Sequence, residues 1–422
     1  MSGPVRAFVK RVVPIRAKQF LFGLRAVAGN PPIDEVVVAD WQFATDPCVG
    51  RRLNLVIPNL AASSAFGGVV TGLDIFLQLA KQLRETVPLA IRVIYSDPDR
   101  ETDSSIFLKA AEKAGLGKAR LSFLSVTRSN QTIPVRQRDL FVTYNWWTTL
   151  NTQALLDAQA RHYGQPVAPL VYLIQEYEPH MMPFSSAHML AREAYDTPPR
   201  LWGVFNSSNL HDYFRLLGHG TERAFVFEPV INERLRSYLD QVATSQRTKR
   251  ILVYGRPAIP RNCFPALIRG LRHWVETDPC AADWEIVSAG MAHRPIPLGK
   301  GQKVVSVGKL SLDDYARMLL SSSVGVSLQA SPHPSYPPLE MAHMGVRTIT
   351  NAYTSKDLTG FHPNLISVRS ITAGGLSAAL TQACSMWGAA PDTYADPGYV
   401  RTQTYPFLSD LAAELIAEFP PG

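Results

Sequence analysis

Short apolar runs recur along this chain, and helix-patterned sequence separates them. Residues 53–60 (LNLVIPNL), 91–95, 140–143, 170–174 and 201–206 are such runs. Helical spacing of apolar residues marks 69–83 and 152–163 between them. A strand that is apolar throughout must be covered on both faces, and helices joining parallel strands provide that cover. The pattern halts at the polar stretch 232–250 and then restarts. Strands are expected at 250–254, 284–289, 303–307 and 324–328, with helices at 263–274 and 311–319. The fold class is therefore α/β, with two Rossmann-like domains in tandem and a cleft between them. The boundaries are 1–50 for an N-terminal extension, 51–235 and 245–400 for the two domains, and 401–422 for a last helical segment centred on 407–419.

No stretch approaches the roughly 18 uninterrupted apolar residues of a membrane-spanning helix. The four cysteines are scattered and form no C-x-x-C pair, which argues against a zinc site or a disulfide framework. The start lacks a continuous apolar run and a small-residue cleavage site, so no secretory leader is expected. Net charge is +7, and part of the excess is local: residues 1–30 carry Arg6, Lys10, Arg11, Arg16, Lys18 and Arg25 and no acid. Phe8, Val9, Val12 and Val13 fall at helical spacing opposite those cations until Pro14 interrupts. Two readings fit: peripheral contact with an anionic membrane surface from the cytoplasmic side, or packing on the protein with the charges solvated. Nucleic acid is not an expected partner, because no recognition motif is present.

Five constellations can carry chemistry. The segment SPHPSYPPLEMAHMGVRTITN, 331–351, reads as a rigid loop, a helix carrying Glu340, a stop at Gly345 and a strand. Backbone N–H groups at Ser335 and Tyr336 would form an anion site at the helix mouth, and Glu340 would accept from hydroxyls. An ordinary crossover with a stiff loop has the same outline. Gly67 and Gly68 lie between a strand and a helix, where small residues let a ligand approach the backbone or let strand and helix pack tightly. Arg256, in YGRP at a strand end, suits a phosphate by its forked donors, and Lys309, in VGKLSLDD, also stands between strand and helix. Ser311 is the expected cap of that helix. Glu176, Tyr177, Glu178 and His180 follow the strand 170–174; either acid can orient or deprotonate a hydroxyl, or the loop can be a solvated acidic turn. Trp146 and Trp147, after the strand 140–143, can form a platform for a sugar ring or pack between domains. His333 lies in the 331–340 loop, in reach of phosphate or sugar, whereas His343 reads as structural. The chain lacks G-x-G-x-x-G and G-x-x-x-x-G-K-[ST], so a dinucleotide cofactor and a P-loop are not supported.

PLEMAHMGVRTITN resembles the donor-site signature of GT-B glycosyltransferases of family 4, E-x7-E, with Glu340 at the second acid and Pro332 where the first would stand. The runs SPHPSYPPLE, YGRPxxPRN and LIQEYEP are similar to the WsaF-type rhamnosyltransferases, over about residues 50–420. The resemblance implies an acceptor-binding first domain, a nucleotide-sugar-binding second domain and a last helix that crosses back to the first. It implies that Arg256 and Lys309 hold a diphosphate, that Gly67, Gly68, Ser335, Tyr336 and Glu340 complete the donor site, and that Trp146, Glu176, Tyr177 and Glu178 meet the acceptor. Glu176, Arg256, Lys309 and Glu340 are the candidate catalytic residues. The implied donor is dTDP-L-rhamnose, the acceptor a bacterial surface glycan or lipid-linked oligosaccharide, and the reaction runs with retention, without cofactor or metal. Two rivals share these residues: a GT-B-like nucleotide-sugar epimerase, and a non-catalytic glycan-binding module at a membrane surface.

Overall fold

The structure is a computed structural model that describes residues 38–60, 68–96, 104–117, 120–126 and 131–419. The basic segment expected at 1–30 and the glycine at 67 lie outside the described residues.

The first half builds a seven-stranded, wholly parallel sheet. Its strands are β2 (Arg51–Ile57), β3 (Leu89–Tyr95), β4 (Leu121–Ser125), β6 (Asp139–Thr143), β7 (Leu170–Ile174), β8 (Leu201–Asn206) and β9 (Arg223–Phe227). They lie in the order β4-β3-β2-β6-β7-β8-β9. Two four-residue strands, β1 (Gln42–Thr45) and β5 (Thr132–Val135), form a separate parallel pair. A buried ion cluster ties that pair to the main sheet. Arg52 donates to both oxygens of Asp139, at 2.7 and 2.6 Å, to Asp46 at 2.9 Å and to the Pro134 carbonyl at 3.1 Å. Buried charges need such pairing, and removal of one partner costs about 3–5 kcal/mol.

The second half repeats the plan with strands β10 (Thr248–Gly255), β11 (Glu285–Gly290), β12 (Ile296–Gly299), β13 (Gln302–Gly308), β14 (Ser322–Val326), β15 (Arg347–Asn351) and β16 (Leu365–Val368). They lie in the order β12-β13-β11-β10-β14-β15-β16. Only the edge strand β12 runs antiparallel. The expected stop at Gly345 is present: its φ is +77°, and a Cβ there would lie 2.5 Å from the Arg247 guanidinium. That guanidinium collects the carbonyls of Leu319, Ser322 and Met344, so it completes the ends of two helices at once.

The last helix, Leu408–Glu418, packs on the first domain against the helix Gly68–Thr86. Leu408, Leu411 and Leu415 are fully enclosed in the first domain's core. Arg200 bonds Glu418 at 2.7 Å, and Arg223 bonds Glu414 at 2.6 Å. The last helix thus returns to the first domain. Among the described residues no helix is long and apolar enough to cross a membrane.

Candidate functional site

Both sheets reverse their strand order at one point, and open α/β sheets bind ligands outside the carboxyl ends of strands at such a point. In the first sheet the reversal falls between β2 and β6, in the second between β10 and β14. Gly68 follows β2, Arg256 follows β10, and the 329–335 loop follows β14. Glu176, two residues beyond β7, joins the two domains. Its Oε1 accepts from the Ser331 hydroxyl at 2.5 Å, and its Oε2 from Gln329 Nε2 at 3.2 Å. Burial pushes this carboxyl upward, opposed by the Ser331 hydroxyl, the Arg261 charge, the Tyr177 N–H and the Lys356 charge.

Lys356 has no counterpart in the sequence reading. Its side chain is wholly enclosed, and its Nζ donates to the Gln329 carbonyl at 2.9 Å. Burial lowers it to about 8, with the Glu176 carboxylate acting in the opposite sense. A polar seam continues on both sides. Tyr353 Oη lies 3.2 Å from His180 Nδ1, Asn209 and Ser355 exchange two bonds, and Asn206 Nδ2 donates to Tyr336 Oη at 3.3 Å.

The second-domain cations sit at strand ends as expected. Arg256 is half-buried, with Nη1 3.4 Å from Tyr254 Oη. Gly255 and Gly290 let the two strand ends meet there: a Cβ on Gly290 would lie 2.6 Å from the Gly255 carbonyl. Lys309 is exposed just beyond β13, and Ser311 caps the next helix by accepting from the Asp314 N–H at 3.1 Å. Glu340 is half-buried on the helix Tyr336–His343, beside the Tyr315 side chain. Burial raises it to about 7, with Tyr315 pulling the other way. Tyr315 Oη itself makes no hydrogen bond of ordinary geometry among the described residues.

The helix mouth offers fewer donors than the sequence suggested. Tyr336, Pro337 and Pro338 begin the helix, so only the first carries an N–H. The Ser335 N–H is already committed to His333 Nδ1 at 2.9 Å. Ser335 holds a φ of +70°, a strained value for a residue with a Cβ. Gly68 opens its helix with little room beside it: a Cβ would lie 3.1 Å from Tyr144 Oη and 3.4 Å from Gln175 Oε1.

Three residues expected at the acceptor instead build the wall behind Glu176. Trp146 is 3% exposed and packs with Ala191 and Ala194, because it starts a helix rather than a loop. Tyr177 is 4% exposed, and its hydroxyl lies 3.0 Å from His219 Nε2 within an aromatic cluster of Tyr195, Tyr213 and Phe214. Glu178 Oε2 accepts from the Trp146 N–H at 2.7 Å and from the Tyr172 hydroxyl. Burial raises this carboxyl to about 8, with those two donors opposing. Of the four, Glu176 is the one whose side chain bonds the second domain. Ser331 opens the 331–351 segment and Gln329 lies two residues before it, and no local pattern marks either as the partner of an acid in the other domain.

Residues 52–208 match the family described as WsaF, N-terminal domain, and residues 249–381 the one described as WsaF, C-terminal domain. The O-antigen biosynthesis protein RfbC of Myxococcus xanthus is 30% identical over 181 residues. That stretch is 43% of this chain but 14% of RfbC, so the chain spans a small part of this relative's length. Among solved structures, TarM superposes with a TM-score of 0.51 at 8% identity, over 89% of this chain and 97% of that one, a likeness of fold. HepE of Anabaena, solved with UDP and glucose, gives 0.48 at 12% identity, over 87% and 95%.

Proposed function

Since the chain belongs to the WsaF family of GT-B glycosyltransferases, we propose that it transfers a sugar from a nucleoside diphosphate donor to a growing surface glycan. L-Rhamnose carried by dTDP is the donor this reading favours. The observation that carries it is the carboxylate of Glu176, held across the cleft against the loop that follows β14. An acceptor hydroxyl beside Glu176 would face a sugar presented by that loop.

In this mechanism Arg256 and Lys309 grip the diphosphate. Departure of the diphosphate is the step that develops charge, so fixed cations aimed at it stabilise the transition state. The two side chains supply the charge a metal would otherwise supply, and the mechanism uses none. The Tyr336 N–H adds one backbone donor at the helix mouth. Glu340 takes hydroxyls of the ribose or the sugar. The anomeric C–O bond to phosphate breaks, the acceptor oxygen bonds the anomeric carbon on the same face, and the acceptor proton leaves with the diphosphate or passes to Glu176. Closure of the two domains excludes water, which would otherwise take the sugar.

Thermal unfolding with dTDP, UDP, GDP, ADP and NAD tests the donor assignment. A ligand at about a hundred times its dissociation constant adds roughly 2.7 kcal/mol to the native state. Selective stabilisation by dTDP is expected. Selective stabilisation by UDP or GDP would replace the base and sugar, and no response to any diphosphate would remove the transferase reading.

A further inference from the structure

His333 holds a polar group that no described residue satisfies. The ring is 5% exposed and two residues beyond Ser331, whose hydroxyl bonds Glu176. Ser331 Oγ also accepts the His333 N–H at 2.9 Å, which fixes the backbone. His333 Nδ1 accepts the Ser335 N–H at 2.9 Å. A ring nitrogen that accepts carries no proton, so the proton of the neutral ring is on Nε2. Nε2 is buried and has no partner among the described residues. Burial and the charges of Lys356 and Arg261 hold the ring's pKa down at about 3, so it stays neutral at physiological pH. A buried donor without an acceptor costs about 1–3 kcal/mol, and orphans of this kind call for a missing ligand or water.

Its position selects which part of a ligand it meets. His333 stands at the mouth of the helix Tyr336–His343, one hydrogen bond from the residue that touches Glu176. On the donor reading above, that is where the reacting end of the donor would lie, away from its nucleoside. We infer that the His333 Nε2–H donates to an oxygen of the transferred sugar, which makes His333 a donor-sugar recognition residue beside Pro332. The inference rests on the donor reading above.

Two variants separate this role from a structural one. In His333→Asn the side-chain oxygen can still accept the Ser335 N–H, but the distal N–H is gone. In His333→Gln the amide nitrogen reaches about where Nε2 lies, while the Ser335 bond is lost. Binding of dTDP and of dTDP-L-rhamnose to the full chain is measured for wild type and both variants, by calorimetry and thermal shift. The expected result is that wild type binds the sugar conjugate more tightly than the diphosphate. His333→Asn should unfold at the wild-type temperature, bind dTDP within about twofold of wild type, and lose roughly tenfold in affinity for the conjugate. His333→Gln should unfold at a lower temperature yet keep most of the preference for the conjugate. The inference is overturned if His333→Asn keeps the full preference, if both variants lose the diphosphate and its conjugate alike, or if wild type shows no preference. Absence of nucleotide binding by wild type would instead sink the donor reading, and this inference with it.

Discussion

Glu178 and Glu176 are two residues apart and are assigned opposite duties, so replacing Glu178 separates scaffold from chemistry. One oxygen of Glu178 accepts both the Trp146 N–H and the Tyr172 hydroxyl. Alanine removes the helix-end acceptor, at about 1 kcal/mol, and leaves the enclosed Tyr172 hydroxyl unsatisfied, at about 1–3 kcal/mol. Glu178→Ala should therefore lose about 2–4 kcal/mol of stability. Glutamine can accept both bonds on its single amide oxygen and resembles the protonated acid. With the folded carboxyl raised from 4.5 to about 8, the acid is protonated through most of the neutral range. The sign of the pH effect follows. Between about 4.5 and about 8 the folded state keeps a proton that the unfolded state has released, so wild-type stability falls as pH rises. Glu178→Gln removes that contribution and should gain on wild type steadily from pH ~5 to pH ~8. Urea unfolding at pH values spanning that window measures both effects. An alanine variant within about 0.5 kcal/mol of wild type, or a glutamine variant with an unchanged pH slope, would refute the reasoning.

Four further outcomes are expected. Glu176→Gln should leave dTDP binding intact but lower the transfer rate at least about a hundredfold, read by single-turnover kinetics. Arg256→Ala and Lys309→Ala should each cost on the order of 3 kcal/mol of transition-state stabilisation, read as kcat/KM, with folding unchanged by circular dichroism. Lys356→Met removes the buried cation that favours ionised Glu176, so the acid limb of the kcat/KM profile should move to higher pH. Leu415→Ala empties a fully enclosed site where the last helix meets the first domain, and should cost about 2–5 kcal/mol on thermal unfolding.

What could be read from sequence follows burial by local pattern. Leu170–Ile174 and Leu201–Asn206 are strands with the expected limits, because every residue in them is buried and the apolar run ends where the strand does. The returning helix at 408–418 was legible for the same reason, with leucines at helical spacing. The helix expected from 152 instead begins at Trp146. Its first turn, WWTT, favours strand by composition, and Asn145 caps it by accepting the Thr148 N–H at 3.2 Å. That shift of start moves Trp146 from a surface platform into the wall of the site. The pair β1 and β5 is hard to read because each strand has only four residues and the pair is held by an ion cluster distant in sequence. In the site, Arg256, Lys309 and Glu340 were readable as charges in short motifs. Lys356 was not: its burial arises when the turn after β15 meets the other domain, and no local pattern encodes that.

The most direct test is transfer itself. Purified protein is incubated with dTDP-L-rhamnose and a rhamnose-terminated oligosaccharide, and products are read by mass spectrometry beside Glu176→Gln and Arg256→Ala. The account predicts one added deoxyhexose per turnover with wild type, and release of free dTDP in equal amount. It predicts little or none with either variant. Transfer that survives the loss of both residues would contradict it, as would a protein that binds the donor and only isomerises its sugar.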